Sequence, residues 1–221
     1  MILLLAAAAV LQAGCGGSSS SSEASKSASA ILADARRAAT AAGSVRVAGT
    51  IDDSGQMISL DLSITGHGGG GTLTVHGTKV DIVRSGTSVY IRAPGSFYRS
   101  VGASKAAGQL LDGRWLKAPV STPQFGDFSQ LTDLNKFVAL ALKPQGTVTK
   151  GAQTTIDGQK VIGLQDSKGR GVLYVATTGT PYAVEFKGVG GESGTLKLTD
   201  WGSAHAPKPP PNAIDIGALG K

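Results

Sequence analysis

The sequence is poor in cysteine, in aromatic residues and in charge. Of its 221 residues only Cys15 is a cysteine, so an internal disulfide framework is excluded. Aromatic residues make up 5% and charged residues 16%, while small residues fill much of the rest, which favours turns and strands over a large helical core. The hydrophobic fraction of 41% still suffices for one packed domain with short appendages.

Concentrated positive charge is also missing. The formal net charge is +6, but the lysines and arginines are scattered singly and only Arg36 and Arg37 are adjacent. Nucleic-acid binding needs a stripe of cations that neutralises several phosphates at once. The sequence therefore predicts no nucleic-acid partner, and a mild attraction to anionic lipid or wall polymer fits the dispersed charge better.

No catalytic or metal-binding motif stands out. The run Gly66–Gly71 lacks the Lys-Ser/Thr ending of a phosphate-binding loop and precedes a strand, so it is interpreted as a loose hairpin connection. His67, His76 and His205 have no accompanying carboxylate cluster, and there is no Gly-x-Ser-x-Gly elbow. We expect a protein that is not an enzyme and that needs neither a metal nor a cofactor.

The first fifteen residues resemble the export signal of a bacterial lipoprotein. Met1–Val10 is apolar but shorter than the ~20 residues that span a bilayer, and it has the length of a signal-peptide core. Leu11–Cys15 resembles a lipobox, in which the cysteine sulfur receives a diacylglycerol. Gln12 stands where the lipobox has leucine, and the basic start of a signal is missing. An ordinary secretory signal or a short buried apolar segment is the alternative.

These features predict a lipid-anchored protein on the extracytoplasmic side of the cell membrane. Residues 1–14 would be a signal peptide, and Cys15 would carry the two acyl chains that stable anchoring needs. Residues 15–29 would form a flexible tether, because Gly16, Gly17 and the serines that follow behave as a flexible coil.

A single domain is predicted over residues 30–206. Ala30–Ala42 has helical spacing, and a series of strands with alternating apolar residues follows. Leu134–Ala141 carries an amphipathic helical stripe that ends before Pro144. The tail, residues 207–221, is rich in proline and is predicted to be extended.

The fold class that this pattern predicts is α+β. About eleven strands form a curled antiparallel sheet, a half-open barrel, which a few helices cover. The short helices do not fill the apolar face, so an apolar cavity is expected between sheet and helices. Trp115 and Trp201 could stack on a ligand, although core packing is the commoner role.

The order of several segments is similar to that of a known family, the LppX/LprG group of actinobacterial lipoproteins in the lipoprotein-localisation-carrier superfamily. The similarity covers residues 30–206 and rests on loose patterns. The segments are Gly71–Arg84, Ser88–Arg92, Arg114–Lys117, Ile156–Val161, Gly171–Val175, Thr180–Tyr182 and Leu196–Trp201. The resemblance implies a half-open barrel whose cavity holds acyl chains, and a role in carrying lipids or lipoglycans through the envelope. It transfers no individual ligand-contacting residue.

The leading hypothesis is a monomer that binds the acyl chains of a lipid or glycolipid. Alternation along the strands and the central helix provides the candidate cavity residues. They are Leu60, Leu62, Leu73, Val75, Val80, Ile82, Val89, Ile91, Phe137 and Val138. The rival hypothesis is an envelope interaction or sensor module with a closed core that binds a protein partner. A hydrolase is disfavoured because no nucleophile–base pair stands out.

Overall fold

A computed structural model describes residues 22–53, 55–122, 126–169, 171–188 and 193–216 of the chain. The predicted signal peptide and Cys15 lie outside the described residues, as do residues 16–21 of the predicted tether and the last five residues of the tail. The described part is built on one large sheet with helices on one face, so the predicted α+β class is confirmed.

The sheet has twelve strands, of which eleven form an antiparallel series. Their bounds are β1 Ser44–Asp53, β2 Gln56–Thr65, β3 Gly68–Val75, β4 Thr78–Ser85, β5 Ser88–Arg92, β6 Trp115–Pro119, β7 Val148–Ile156, β8 Gln159–Asp166, β9 Gly171–Ala176, β10 Ala183–Gly188, β11 Gly194–Thr199 and β12 Ile214–Asp215. The order across the sheet is β12-β6-β5-β4-β3-β2-β1-β11-β10-β9-β8-β7. The sheet therefore ends at β12 and β7 and does not close into a barrel.

The last strand comes from the predicted tail. Ile214 of β12 pairs with Leu116 of β6, and this pairing is parallel whereas the other strand pairs are antiparallel. Lys117 and Asp215 sit opposite each other there and form an ion pair with 2.9 Å between Nζ and Oδ2. Part of the proline-rich tail thus extends the sheet at its edge.

Five α-helices and one 3-10 helix complete the described elements. The 3-10 helix is Glu23–Ser25, and the α-helices are α1 Ala28–Ala42, α2 Gly95–Ser100, α3 Lys105–Leu111, α4 Gly126–Leu131 and α5 Leu134–Ala141. The predicted helix at Leu134–Ala141 is confirmed, and α1 begins two residues earlier than predicted because the Ser27 hydroxyl accepts a bond from the Ala30 amide. Within the described residues no helix has the length and apolar character to cross a membrane.

Only the first two residues of the predicted glycine-rich connection join strands: Gly66 and His67 link β2 to β3, and the rest of the run does not form a loop. Gly68–Gly71 lies inside β3 and is largely buried. A Cβ at Gly69 would lie 2.9 Å from the carbonyl oxygens of both Ser63 and Thr132. Glycine therefore lets the segment between α4 and α5 run directly over the sheet, where Thr65 and Asp133 form an isolated parallel bridge.

The core lies between the sheet and the helices on this face. Ile31 of α1, Leu134 of α5 and aliphatic side chains of β1–β5 are almost completely buried in it. Trp201 packs at the edge of this core, stacked on Tyr182 with 5.2 Å between ring centroids, and its Nε1 donates to the carbonyl of Ala183. These contacts agree with the interpretation that Trp201 packs in the core.

Candidate functional site

An apolar cavity of about 190 Å³ lies between α5 and the strands β1, β9, β10 and β11. We call it the main cavity. All the side chains that line it are apolar. They are Val47, Phe137, Ala141, Leu142, Leu173, Phe186, Leu196 and Leu198.

The sheet wall of the main cavity follows directly from strand pairing. Leu196 of β11 pairs with Phe186 of β10, and Phe186 pairs with Leu173 of β9. Residues that are directly opposite in an antiparallel sheet project from the same face, so these three side chains form one apolar row across three strands. Val47 and Leu198, also a direct pair, continue the wall onto β1.

A second, smaller cavity of about 110 Å³ adjoins the main one, and we call it the side cavity. The two share Ala141, Leu142, Leu173 and Phe186. The side cavity also has polar wall residues, among them Lys143 and Gln145, which are exposed, and Asp166, which is half-buried. The combined space therefore has an apolar inner part and a polar outer end.

Asp166 at that outer end is held by backbone amides. The amide of Lys168 donates to Oδ1 at 3.0 Å, and the amide of Gln145 donates to Oδ2. These bonds, that from Lys168 first, keep the pKa of Asp166 below its usual range. The carboxylate is thus anionic at neutral pH, and its charge is partly balanced by amide dipoles.

Helix α5 is fixed over the main cavity at both of its ends. At the start, the buried Arg84 donates to the Thr132 carbonyl and to the Asp133 carboxylate, each at 3.1 Å, and Asp133 also caps the helix by accepting from the Lys136 amide. At the end, Arg36 of α1 donates through Nε to the carbonyl of Leu142 at 2.8 Å. Two arginines thereby position the helix that roofs the cavity.

The structure places the predicted cavity residues mainly in the packed core. Phe137 lines the main cavity, and Leu60 and Val75 are partly buried. The other predicted residues are buried in the core cluster, namely Leu62, Leu73, Val80, Ile82, Val89, Ile91 and Val138. Contact of these residues with lipid stays a prediction, as does the lipidation of Cys15.

The sequence reasoning did not select the wall residues of β9, β10 and β11. The available signal was the period-two spacing of Leu196 and Leu198, together with the apolar residues of the two strands before them. In the described part of the chain, no group of three or more His, Cys, Asp or Glu residues could hold a metal ion.

No protein-family model and no curated protein sequence matches the chain. Among solved structures, the fold is that of mycobacterial lipoproteins of the LppX/LprG group, so the resemblance found in the sequence is confirmed at the level of the fold. LprF from Mycobacterium bovis aligns with a TM-score of 0.54 and 16% identity, covering 85% of this chain and 97% of LprF. The lipoprotein LppX from Mycobacterium tuberculosis aligns with a TM-score of 0.50 and 15% identity, covering 80% of this chain and 97% of LppX.

Proposed function

We propose that this protein is a membrane-anchored extracytoplasmic lipoprotein that holds an acyl chain of a lipid or glycolipid in its main cavity. The observation that carries the proposal is the wall of the cavity, which consists only of apolar side chains. An acyl chain that leaves a bilayer needs another apolar space, because each exposed CH₂ costs about 0.8 kcal/mol.

The volume of the two cavities favours one acyl chain, or part of an acyl chain, over a complete lipid. The main and side cavities, about 190 and about 110 Å³, together reach the lower end of ligand pockets, about 300 Å³. The acyl chain would occupy the apolar inner part of the two cavities, and the lipid headgroup would stay at their outer end beside Lys143, Gln145 and Asp166. The mechanism is passive, and carriage through the envelope would consist of uptake at one membrane and release at another.

Filling the cavity tests the proposal. Ala141 lines both cavities at the end of α5, so Ala141→Trp places an indole where the acyl chain would lie. We expect about a tenfold loss of fluorescent fatty-acid binding, which is about 1.4 kcal/mol and lies within the ~1–3 kcal/mol that overpacking costs. Less lipid should also be retained in native mass spectrometry.

Ala139→Trp is the matched control, since Ala139 is exposed on the same helix and is not among the wall residues. Equal binding by both variants would contradict the assignment of the cavity. If the unmodified protein retains no lipid and binds no fluorescent lipid, the closed-core module with a protein partner becomes the better hypothesis.

The anchor has its own test. Cys15→Ala removes the sulfur that would accept the diacylglycerol. Because Cys15 is the one proposed point of attachment to the membrane, the variant should lose its anchor. We expect the variant to move from the membrane fraction to the medium, or to accumulate as an unprocessed precursor. Cys15→Ala protein that fractionates and migrates like the unmodified protein would show that Cys15 is not the anchor.

A further inference from the structure

Helix α5 exposes a leucine between two lysines. Leu140 is 57% exposed, while Val138 beside it is buried in the core. Lys136 lies one turn before Leu140 and Lys143 about one turn after it, and both are exposed. We call these three residues the Leu140 surface. Long lysine stems beside an exposed apolar side chain suit the boundary between lipid headgroups and acyl chains.

The Leu140 surface borders the opening of the cavities. Lys143 is a wall residue of the side cavity, and Ala141, next to Leu140, lines both cavities. Phe137, three residues before Leu140 on the helix, lines the main cavity and is partly exposed. A ligand entering the outer end of the cavities therefore passes close to Leu140.

The charges around this opening are mainly positive. Besides Lys136 and Lys143, Lys168 lies near it, since a Cβ at Gly146 would be 3.0 Å from Lys168 Cγ. Three described carboxylates near the opening, those of Asp166, Asp133 and Asp34, are already engaged, the last of them in an ion pair with Lys26. Asp166 accepts backbone amides, and Asp133 is paired with Arg84. The surface around the opening is thus complementary to anionic lipid headgroups.

The N-terminal segment joins the domain close to the same opening. Lys150 of β7 donates through Nζ to the carbonyls of Ala24 and Lys26, at 3.0 and 2.9 Å, and Lys26 is ion-paired with Asp34 of α1. Val148 of β7 and Leu32 of α1 are wall residues of the side cavity.

The length of the tether limits how far this entry point can lie from a bilayer. Ser22 is seven residues from Cys15, and seven residues span at most about 25 Å. A lipid anchor at Cys15 would therefore hold the cavity opening near the membrane in which the anchor is inserted.

We propose that the Leu140 surface docks on an anionic lipid bilayer, with Leu140 inserted at the headgroup boundary and the cavity opening facing the acyl chains. This proposal rests on the proposed anchor and lipid cavity. Docking would let an acyl chain pass between bilayer and cavity without crossing water. Exposure of the acyl chain to water would otherwise cost free energy in proportion to its apolar surface.

A fluorescent probe at position 140 tests the docking. With Cys15 acylated, Leu140→Cys provides one reactive thiol for an environment-sensitive fluorophore on the full-length lipoprotein in vesicles. We expect a blue shift and quenching by nitroxide-labelled lipid in vesicles containing phosphatidylglycerol. Met57→Cys is the matched control, because Met57 is also 57% exposed but lies on β2, away from the cavity walls. Equal quenching at the two positions, or none at 140, would overturn the proposal.

Charge reversal tests the lysines. Lys136→Glu with Lys143→Glu should reduce quenching of the position-140 probe strongly, since each surface lysine contributes about fivefold to partitioning on anionic lipid. The control pair Lys105→Glu with Lys208→Glu changes the net charge equally at exposed positions on α3 and in the tail. An equal reduction by both pairs would show that net charge, and not the Leu140 surface, is responsible, which would overturn the proposal.

Two further measurements separate failure of docking from failure of the proposed function. The intact mass reports whether Cys15 is acylated, and native mass spectrometry reports whether lipid is retained. Acylated protein that retains lipid but shows no quenching at position 140 overturns the docking alone. Quenching at position 140 without retained lipid supports docking and contradicts the lipid cavity.

Discussion

Replacing Arg84 with leucine is expected to lower the free energy of unfolding by about 3 kcal/mol. Arg84 is buried, and its guanidinium satisfies both the Thr132 carbonyl and the Asp133 carboxylate. Removing one partner of a buried pair leaves the other charge without compensation in a region from which water is largely excluded. Urea unfolding followed by circular dichroism measures the loss.

The Arg84 replacement should also weaken lipid binding, because Asp133 begins the helix that roofs the main cavity. Arg46→Leu is the control. Arg46 forms an ion pair with Asp61 at similar distances, but both side chains are about half exposed and screened by water, so a much smaller loss of stability is expected. Equal costs for the two replacements would mean that the Arg84 pair is not buried in solution.

Gly71→Ala is expected to destabilise the sheet by about 3–5 kcal/mol, the sum of overpacking and backbone strain. Gly71 has φ +150°, which side chains of L-residues rarely adopt, and an added Cβ would lie 2.0 Å from the Asp61 carbonyl oxygen on β2. Neither the backbone of β2 nor that of β3 can move away without breaking the ladder between them. The thermal unfolding midpoint is the measurement.

Gly77→Ala is the appropriate comparison for Gly71→Ala. Gly77 also has a positive φ, +71°, but it lies in the turn between β3 and β4 and an added Cβ there meets no atom within 4 Å. Only the conformational cost of about 1 kcal/mol is expected. A Gly71 variant as stable as the Gly77 variant would contradict the close approach of β3 to β2.

Local patterns were sufficient to predict much of the fold. The spacing of Leu134, Phe137, Val138 and Ala141 predicted α5, and alternation predicted most strands, because both depend on which side of one element is apolar. The strand character of Gly68–Gly71 was not predictable in this way. The strand forms by pairing with β2 and β4, and glycine is required at position 69 by the carbonyl of Thr132, more than sixty residues later in the chain. The strand β12 likewise depends on an edge that β6 leaves open.

The candidate site was less predictable than the fold, for a related reason. Alternation shows which residues of a strand share a face, so Leu62 and Leu196 look equivalent in the sequence. What distinguishes the two residues is how closely the elements above the sheet pack on each strand. Leu62 is packed in the core, whereas Leu196 lies under the part of α5 that leaves a cavity. The position of α5 is set by Arg84 and Arg36, whose partners are distant in sequence.

Among the described strands β7 ends the sheet, and this position has a consequence for how copies of the protein behave beside one another. Proteins fixed to one surface meet far more often than the same number in free solution, and an open strand edge invites pairing between neighbours. β7 carries a register shift between Lys150 and Gln153, and the Lys150 ammonium is held by the carbonyls of Ala24 and Lys26. An interrupted ladder and a lysine at the edge both oppose the addition of another strand. If the proposed anchor at Cys15 holds the protein on a membrane, crowding there would be tolerated without growth of β-linked polymers.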